Sequence, residues 1–174
     1  DGEDVCTTGV LRAGDDTSPA YTITTGVVSS ANDCTGAVTI ASGATVIAES
    51  AFEDASGITS ISIPASTTSI GSCDMAATSI TVDSANPNYS SIDGVLFNKA
   101  GTSLVTYPTA NTAISYSIPS SDTKITYCAF YKTRFLESIN IPNSVTNIED
   151  WAFADMPNVE TITYASGSPI TRIE

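Results

Sequence analysis

Ile139-Asn140-Ile141-Pro142-Asn143-Ser144-Val145-Thr146-Asn147-Ile148-Glu149-Asp150-Trp151-Ala152-Phe153 is the stretch on which the reading of this chain turns. Its first residues alternate apolar and polar, and the apolar ones are β-branched. That is the pattern of a short strand with Ile139 and Ile141 inward and Asn140 outward. Pro142 cannot donate a ladder hydrogen bond and ends the strand. Ile148 follows Ile141 by seven residues, and Ala152-Phe153 begins eleven residues after it. A small residue before a large one suits close packing at a turn of a coil.

Working outward, the same columns recur. The steps from Ile40 to Ile63, from Ile118 to Ile141 and from Ile141 to Tyr164 are each 23 residues. Ile47, Ile70 and Ile125 join Ile148, Ala51-Phe52 and Ala129-Phe130 join Ala152-Phe153, and Ile58, Leu136 and Val159 stand six residues beyond each Phe. A unit of this size buries too little apolar surface alone, so the period predicts a solenoid in which each coil stacks on the next. The step shrinks to 19 between Ile63 and Val82, where Cys73-Asp74-Met75 replaces Ala-Phe, and grows to 36 between Val82 and Ile118. The longer stretch predicts an inserted hairpin that turns at Asn98 to Gly101, with Val95 to Pro108 as a second candidate for ligand contact.

These columns resemble the leucine-rich repeats of the BspA-like (Treponema pallidum type) class over about residues 37–174. The run Asn86-Pro87-Asn88-Tyr89 through Asp93-Gly94-Val95-Leu96-Phe97-Asn98-Lys99 to Leu104, Tyr107 and Pro108 is similar to an irregular unit of that class. The resemblance implies a mainly β, right-handed leucine-rich-repeat solenoid. It would carry a parallel sheet on one face, short irregular or 3-10 turns on the other, and one inserted hairpin. It further implies a secreted or cell-surface protein, an adhesion role and no catalytic residue or cofactor. Residues 1–36 then read as an N-terminal cap. Residues 37–174 read as a solenoid that continues past Glu174, because Pro169 to Glu174 resembles the start of a further unit.

Composition narrows the function. The 174 residues include no histidine, which removes Ser-His-Asp and Cys-His catalysis and His-ligated metals, so the expectation is a protein that is not an enzyme. Nineteen acidic against six basic residues, a net charge of −13, disfavour nucleic acid and anionic membranes as partners. With 25 Thr and 24 Ser the chain has an extracellular β-rich character. No apolar run reaches membrane-spanning length and no basic-then-apolar leader precedes Asp1, which reads as a processed, secreted chain.

Ser60, Ser62, Thr81, Ser115, Ser117, Ser138, Asn140, Thr161 and Thr163 are the outward strand positions and the candidate ligand face. A solvated sheet, a docking face for a surface protein, matrix protein or glycan, and an ice-binding array all fit these small hydroxyl columns. Self-association with copies of the chain, as a spacer or building block of an extracellular assembly, is the alternative role. Cys6 and Cys34 are expected to form a disulfide in the cap. Cys73 and Cys128 share a column, and one intervening coil would set them about twice 4.8 Å apart, beyond the ~7 Å limit for a bridge, so they are expected as buried free thiols. Asp1, Glu3, Asp4, Asp15 and Asp16 invite calcium but match no spaced Asp-x-Asp-x-Asp-Gly loop, so ordinary surface charge and no metal are expected. Asn88-Tyr89-Ser90 is a glycosylation sequon in a loop.

Overall fold

The structure, a computed structural model, describes residues 5–7, 10–12, 26–31, 34–71, 73–166 and 172–173. In chain order its strands are β1 (Val5–Thr7), β2 (Val10–Arg12), β3 (Gly26–Val28), β4 (Gly36–Ile40), β5 (Ala44–Ile47), β6 (Ile58–Ile63), β7 (Ser69–Ile70), β8 (Ser79–Val82) and β9 (Tyr89–Ile92). They continue as β10 (Val95–Asn98), β11 (Ser103–Thr106), β12 (Ser115–Ser117), β13 (Lys124–Ile125), β14 (Ser138–Ile141), β15 (Asn147–Ile148), β16 (Thr161–Tyr164) and β17 (Arg172–Ile173). No helix occurs among the described residues. The chain is a parallel β-solenoid, as the 23-residue period predicts.

Each coil places one strand on the front face and another on the back. The front face carries the ladders β1-β2-β4-β6-β8 and β12-β14-β16, and the back face carries β3-β5-β7 and β17-β15-β13-β11-β10-β9. Every pair is parallel except β1 with β2 and β10 with both its neighbours. The turns opposite the main sheet are therefore organised as two- to four-residue strands that hold the second isoleucine column: Ile47 lies beside Ile70, and Leu104, Ile125 and Ile148 lie in line. Gly71 sits where two coils approach closely, and a Cβ there would collide with the backbone of Glu49. Ser50, Cys128 and Trp151, each three residues after its back-face isoleucine, take left-handed φ values of 61°, 58° and 60° to turn the corner.

The core is divided in two. One cluster runs from Val28 through Ile40, Phe52, Ile61 and Ile80 to Leu96; the other holds Val95, Phe97, Leu104, Tyr107, Phe130, Ile139 and Ile148. β10 is the partition between them. Alternation along the strand sends Leu96 into one cluster and Val95 and Phe97 into the other, and all three are buried. The insertion is thus three strands, β9 to β11, and the strand residues Val95 to Phe97 and Leu104 are core. Leu104, Thr106, Tyr107 and Pro108 are buried too, because they complete a coil, so of the expected hairpin it is the turn at Lys99 and Ala100 that is exposed.

Tyr107 occupies the Phe column of that coil. Its N–H donates to the Ala129 carbonyl as that of Phe130 donates to Ala152, and Tyr107, Phe130 and Phe153 stack with centroids 5.4 and 5.3 Å apart. Only three residues separate Leu104 from Tyr107, against five from Ile125 to Phe130, so this coil is two residues short at its corner.

That shortening overturns the expectation of free thiols at Cys73 and Cys128. They form a disulfide with Cα atoms 5.1 Å apart. The column argument assumes that every coil fills every position; the Tyr107 coil has no residue at the one where Cys73 and Cys128 meet. The side chain of Cys6 lies outside the described residues, and with it the expected Cys6–Cys34 bridge, although Cys34 is buried.

One column of buried positions mixes apolar and polar residues. Three residues after Ala41, Pro64, Pro119 and Pro142 come Ala44, Thr67, Asp122 and Val145, all buried. Thr67 donates to the Ala44 carbonyl, but neither oxygen of Asp122 makes a well-formed hydrogen bond. Burial lifts its pKa to about 7 against the pull of the backbone amides of Leu104, Lys124 and Thr123.

Two outcomes are expected. Because Cys73 and Cys128 are 55 residues apart, replacing both by Ser should lower unfolding stability by about 2–4 kcal/mol in denaturant melts under non-reducing conditions. Asp122 is raised in the folded state from 3.8, so the native chain binds the extra proton; its stabilising contribution is complete below that value and is lost as pH rises towards 7. Melts at pH 5 and pH 8 should therefore show a loss of about 2–4 kcal/mol in the wild type that is absent from Asp122→Val.

Candidate functional site

The outward front-face residues fall into the two columns expected from the spacing. Ala37, Ser60 and Ser79 lie side by side, as do Thr39, Ser62 and Thr81; further along, Ser115, Ser138 and Thr161 align, and Ser117, Asn140 and Thr163. Hydroxyls bridge neighbouring strands at Ser62 and Thr81, 3.2 Å apart, and Thr163 reaches Asn140 Oδ1 at 3.3 Å. The columns are not continuous. β8 and β12 do not pair, and the Asp93-Gly94 turn of the insertion comes up beside β8, where the Gly94 carbonyl accepts the Ile80 N–H at 2.8 Å and Ser91 Oγ accepts that of Val82. Ser60, Ser62 and Thr81 thus belong to one patch, and Ser115, Ser117, Ser138, Asn140, Thr161 and Thr163 to another.

The first patch runs into an open groove of about 640 Å³ at the ends of β4, β6 and β8. Thr39, Ser62 and Thr81 line one side, Ala41, Ile63, Pro64 and Val82 supply apolar surface, and Ser42 and Asp83 close the rim. Asp83 is the sole titratable group among the described lining residues. Donors, acceptors and apolar floor suit noncovalent recognition. The hydroxyl residues were visible in sequence, whereas the groove depends on how the chain bends at Ala41, Pro64 and Asp83.

The Ala-Phe corners form a second polar site that the sequence reading missed. Asp74, almost fully buried, accepts a hydrogen bond from Thr109 Oγ1 at 3.0 Å and lies 3.5 Å from Lys132 Nζ, which also bonds Glu53 Oε1 at 2.7 Å. Burial raises the Asp74 pKa, with Thr109 and Lys132 pulling it back. The Lys132 hydrogen bond holds Glu53 below its ordinary value, and Glu53 in turn raises Lys132. Replacement of Ala-Phe at Cys73-Asp74-Met75 was the only signal of it. Beside this network Tyr131 meets Trp151 edge-on with centroids 6.1 Å apart, and Lys132 Nζ lies 5.0 Å from the Tyr131 centroid.

Glu49, Cys73 and Cys128 bring three ligand-type atoms within 4.8 Å, but both sulfurs are committed to the disulfide and offer no thiolate. The acidic residues Asp1, Glu3, Asp4, Asp15 and Asp16 lie outside the described residues. Asn88 of the sequon is exposed and its amide donates to the Thr68 carbonyl.

The chain matches the model of the BspA type leucine-rich repeat region in six copies, over residues 30–118 and 110–174. None of the curated proteins matches it. Among solved structures it is similar to the pneumococcal vaccine antigen PcpA (26% identity, TM-score 0.64) and to a leucine-rich repeat protein from Eubacterium ventriosum (27%, 0.58). A leucine-rich cell surface protein from Faecalibacterium prausnitzii is also similar (27%, 0.57). Each likeness covers 74% of this chain and, respectively, 33%, 47% and 41% of the other, so the chain spans less than half the length of these proteins.

If the corner network orders the coils as its geometry indicates, Lys132→Met should destabilise by about 1–2 kcal/mol, since it strands the buried Asp74. Denaturant melts at pH 7 would check this, and Asp74→Asn in the same background should recover part of the loss.

Proposed function

Because the chain belongs to the BspA-type leucine-rich repeat family, we propose that it is a non-catalytic recognition module of a secreted or cell-surface protein, binding a protein partner through its front face. The observation that carries this reading is the groove at the ends of β4, β6 and β8, where aligned hydroxyls, an apolar floor and Asp83 converge. Small outward residues leave the strands approachable over a broad area, and no aromatic ring lines the groove to stack a sugar. The partner surface would be neutral or basic, given the net charge of −13. The same charge disfavours close packing of copies against each other and places self-assembly second. An extracellular location is supported by the Cys73–Cys128 bridge, which persists in an oxidising compartment, and by the description of a similar structure as a cell surface protein. Residues 1–36 are read as a cap on the pairing of β1 with β2 beyond β4, which extends the front ladder at that end.

The test is biolayer interferometry against a panel of immobilised extracellular-matrix proteins. Saturable binding to at least one is expected, weakened about tenfold or more by Ser62→Arg with Thr81→Arg, since blocking the centre of an interface costs over 1.4 kcal/mol. Binding that is insensitive to this pair, or none across the panel, would remove the groove as the docking site.

A further inference from the structure

Glu49, Cys73 and Cys128 meet at the corner where the Tyr107 coil is two residues short, and a carboxylate oxygen and the two sulfurs lie within 4.8 Å of one another. Glu49 Oε1 stands 3.3 Å from Cys73 Sγ. A bridged sulfur carries no proton to donate, so the contact is not a hydrogen bond and the disulfide itself gives the carboxylate no partner. The position of Glu49 is nonetheless fixed. Its backbone packs so closely on the next coil that a Cβ added to Gly71 would fall 2.3 Å from the Glu49 nitrogen. Both cysteines are buried, whereas Glu49 is exposed and leaves the cluster one side open to water.

Reduction changes what this cluster can do. Two thiolates and one carboxylate are a donor set for zinc, which takes sulfur and oxygen together in a tetrahedral site. With Zn–S of about 2.3 Å and Zn–O of about 2.0 Å, such a site sets its sulfurs about 3.8 Å apart and each about 3.5 Å from the oxygen. Glu49 and Cys73 already stand near that spacing. The sulfurs need only part into the space that the short coil leaves, and the open side gives the fourth position to water. Charge acts in the same direction. The reduced cluster gathers three anionic groups, and Lys132, the cation of this corner, is already engaged by Glu53 and Asp74. A divalent ion supplies the missing compensation.

We propose that Glu49, Cys73 and Cys128 form a zinc site when their disulfide is reduced. The shortened corner is then closed by a covalent bridge in the oxidised chain and by a metal bridge in the reduced one. The reductant is a dithiol: it gives up two electrons and two protons to become a disulfide, while the Cys73–Cys128 bond breaks and each sulfur gains a proton. Zinc binding replaces the two S–H bonds by Zn–S bonds, releases both protons to solvent and exchanges water on the ion for a Glu49 oxygen. The site lies apart from the front-face groove and does not depend on that groove being a docking site.

The test reduces the full chain with dithiothreitol, removes the reagent by gel filtration under nitrogen, and titrates with cobalt(II) chloride followed by zinc chloride. The oxidised chain, Cys73→Ser/Cys128→Ser and Glu49→Gln are treated in parallel, and circular dichroism is recorded for each. The reduced wild type should take up one cobalt more than the serine pair, with thiolate-to-cobalt absorption in the near ultraviolet that zinc abolishes. The oxidised chain should lack that absorption, and Glu49→Gln should bind about tenfold or more weakly. Zinc should raise the unfolding midpoint of the reduced wild type and leave that of the oxidised chain unchanged. Glu49→Gln keeps both cysteines, so it tests the site even where the serine pair is unstable. Cobalt uptake no greater than in the serine pair, undiminished affinity in Glu49→Gln, or a reduced chain that is unfolded with and without zinc would each overturn the proposal.

Discussion

Everything in this molecule depends on coils that cannot stand alone. A 23-residue unit contributes two isoleucines from its front strand, one from its back strand and one aromatic at its corner, and these are buried only when the same residues of the next coil lie about one strand spacing away. Register is therefore a collective property. The parallel ladders hold it on both faces, and the rings of Tyr107, Phe130 and Phe153 repeat it along the axis at 5.4 and 5.3 Å.

The irregular coil shows how that constraint is met when the period fails. Three extra strands enter the stack, and β10 crosses as a wall whose alternate residues complete two different cores. Pairing between β8 and β12 is lost on the front face. The corner side is closed instead by the Cys73–Cys128 bridge and by the contacts of Lys132 with Glu53 and Asp74. Both devices join coils on either side of the shortened Tyr107 corner. The shortened corner is thus bridged both by a disulfide and by ion pairs, a consequence of the space a two-residue deficit leaves open.

The outward front face follows from this arrangement. The front face presents short hydroxyls because alternation in the strands sends isoleucine inward and whatever lies between outward. The groove forms where three such strands bend at Ala41, Pro64 and Asp83. Corners turn on left-handed residues at Ser50, Cys128 and Trp151, of which Cys128 is buried in its disulfide.

The solenoid, its columns and the outward set from Ser60 to Thr163 were legible in sequence, because periodicity reports directly which side chains are buried together. Legible too was the existence of an insertion, though not its course: Val95, Leu96 and Phe97 read as any apolar strand, and only packing shows that both faces of β10 are covered. The disulfide was misread because column arithmetic counts coils and cannot see that one of them is short at its corner. The Lys132 network joins residues up to 79 positions apart, with no local pattern to announce it. Sequence alone determined the repeating coil, since that rests on local alternation and stacking. Tertiary structure decided where coils depart from the average, because there the neighbours of a residue are set by what the missing or added residues leave free.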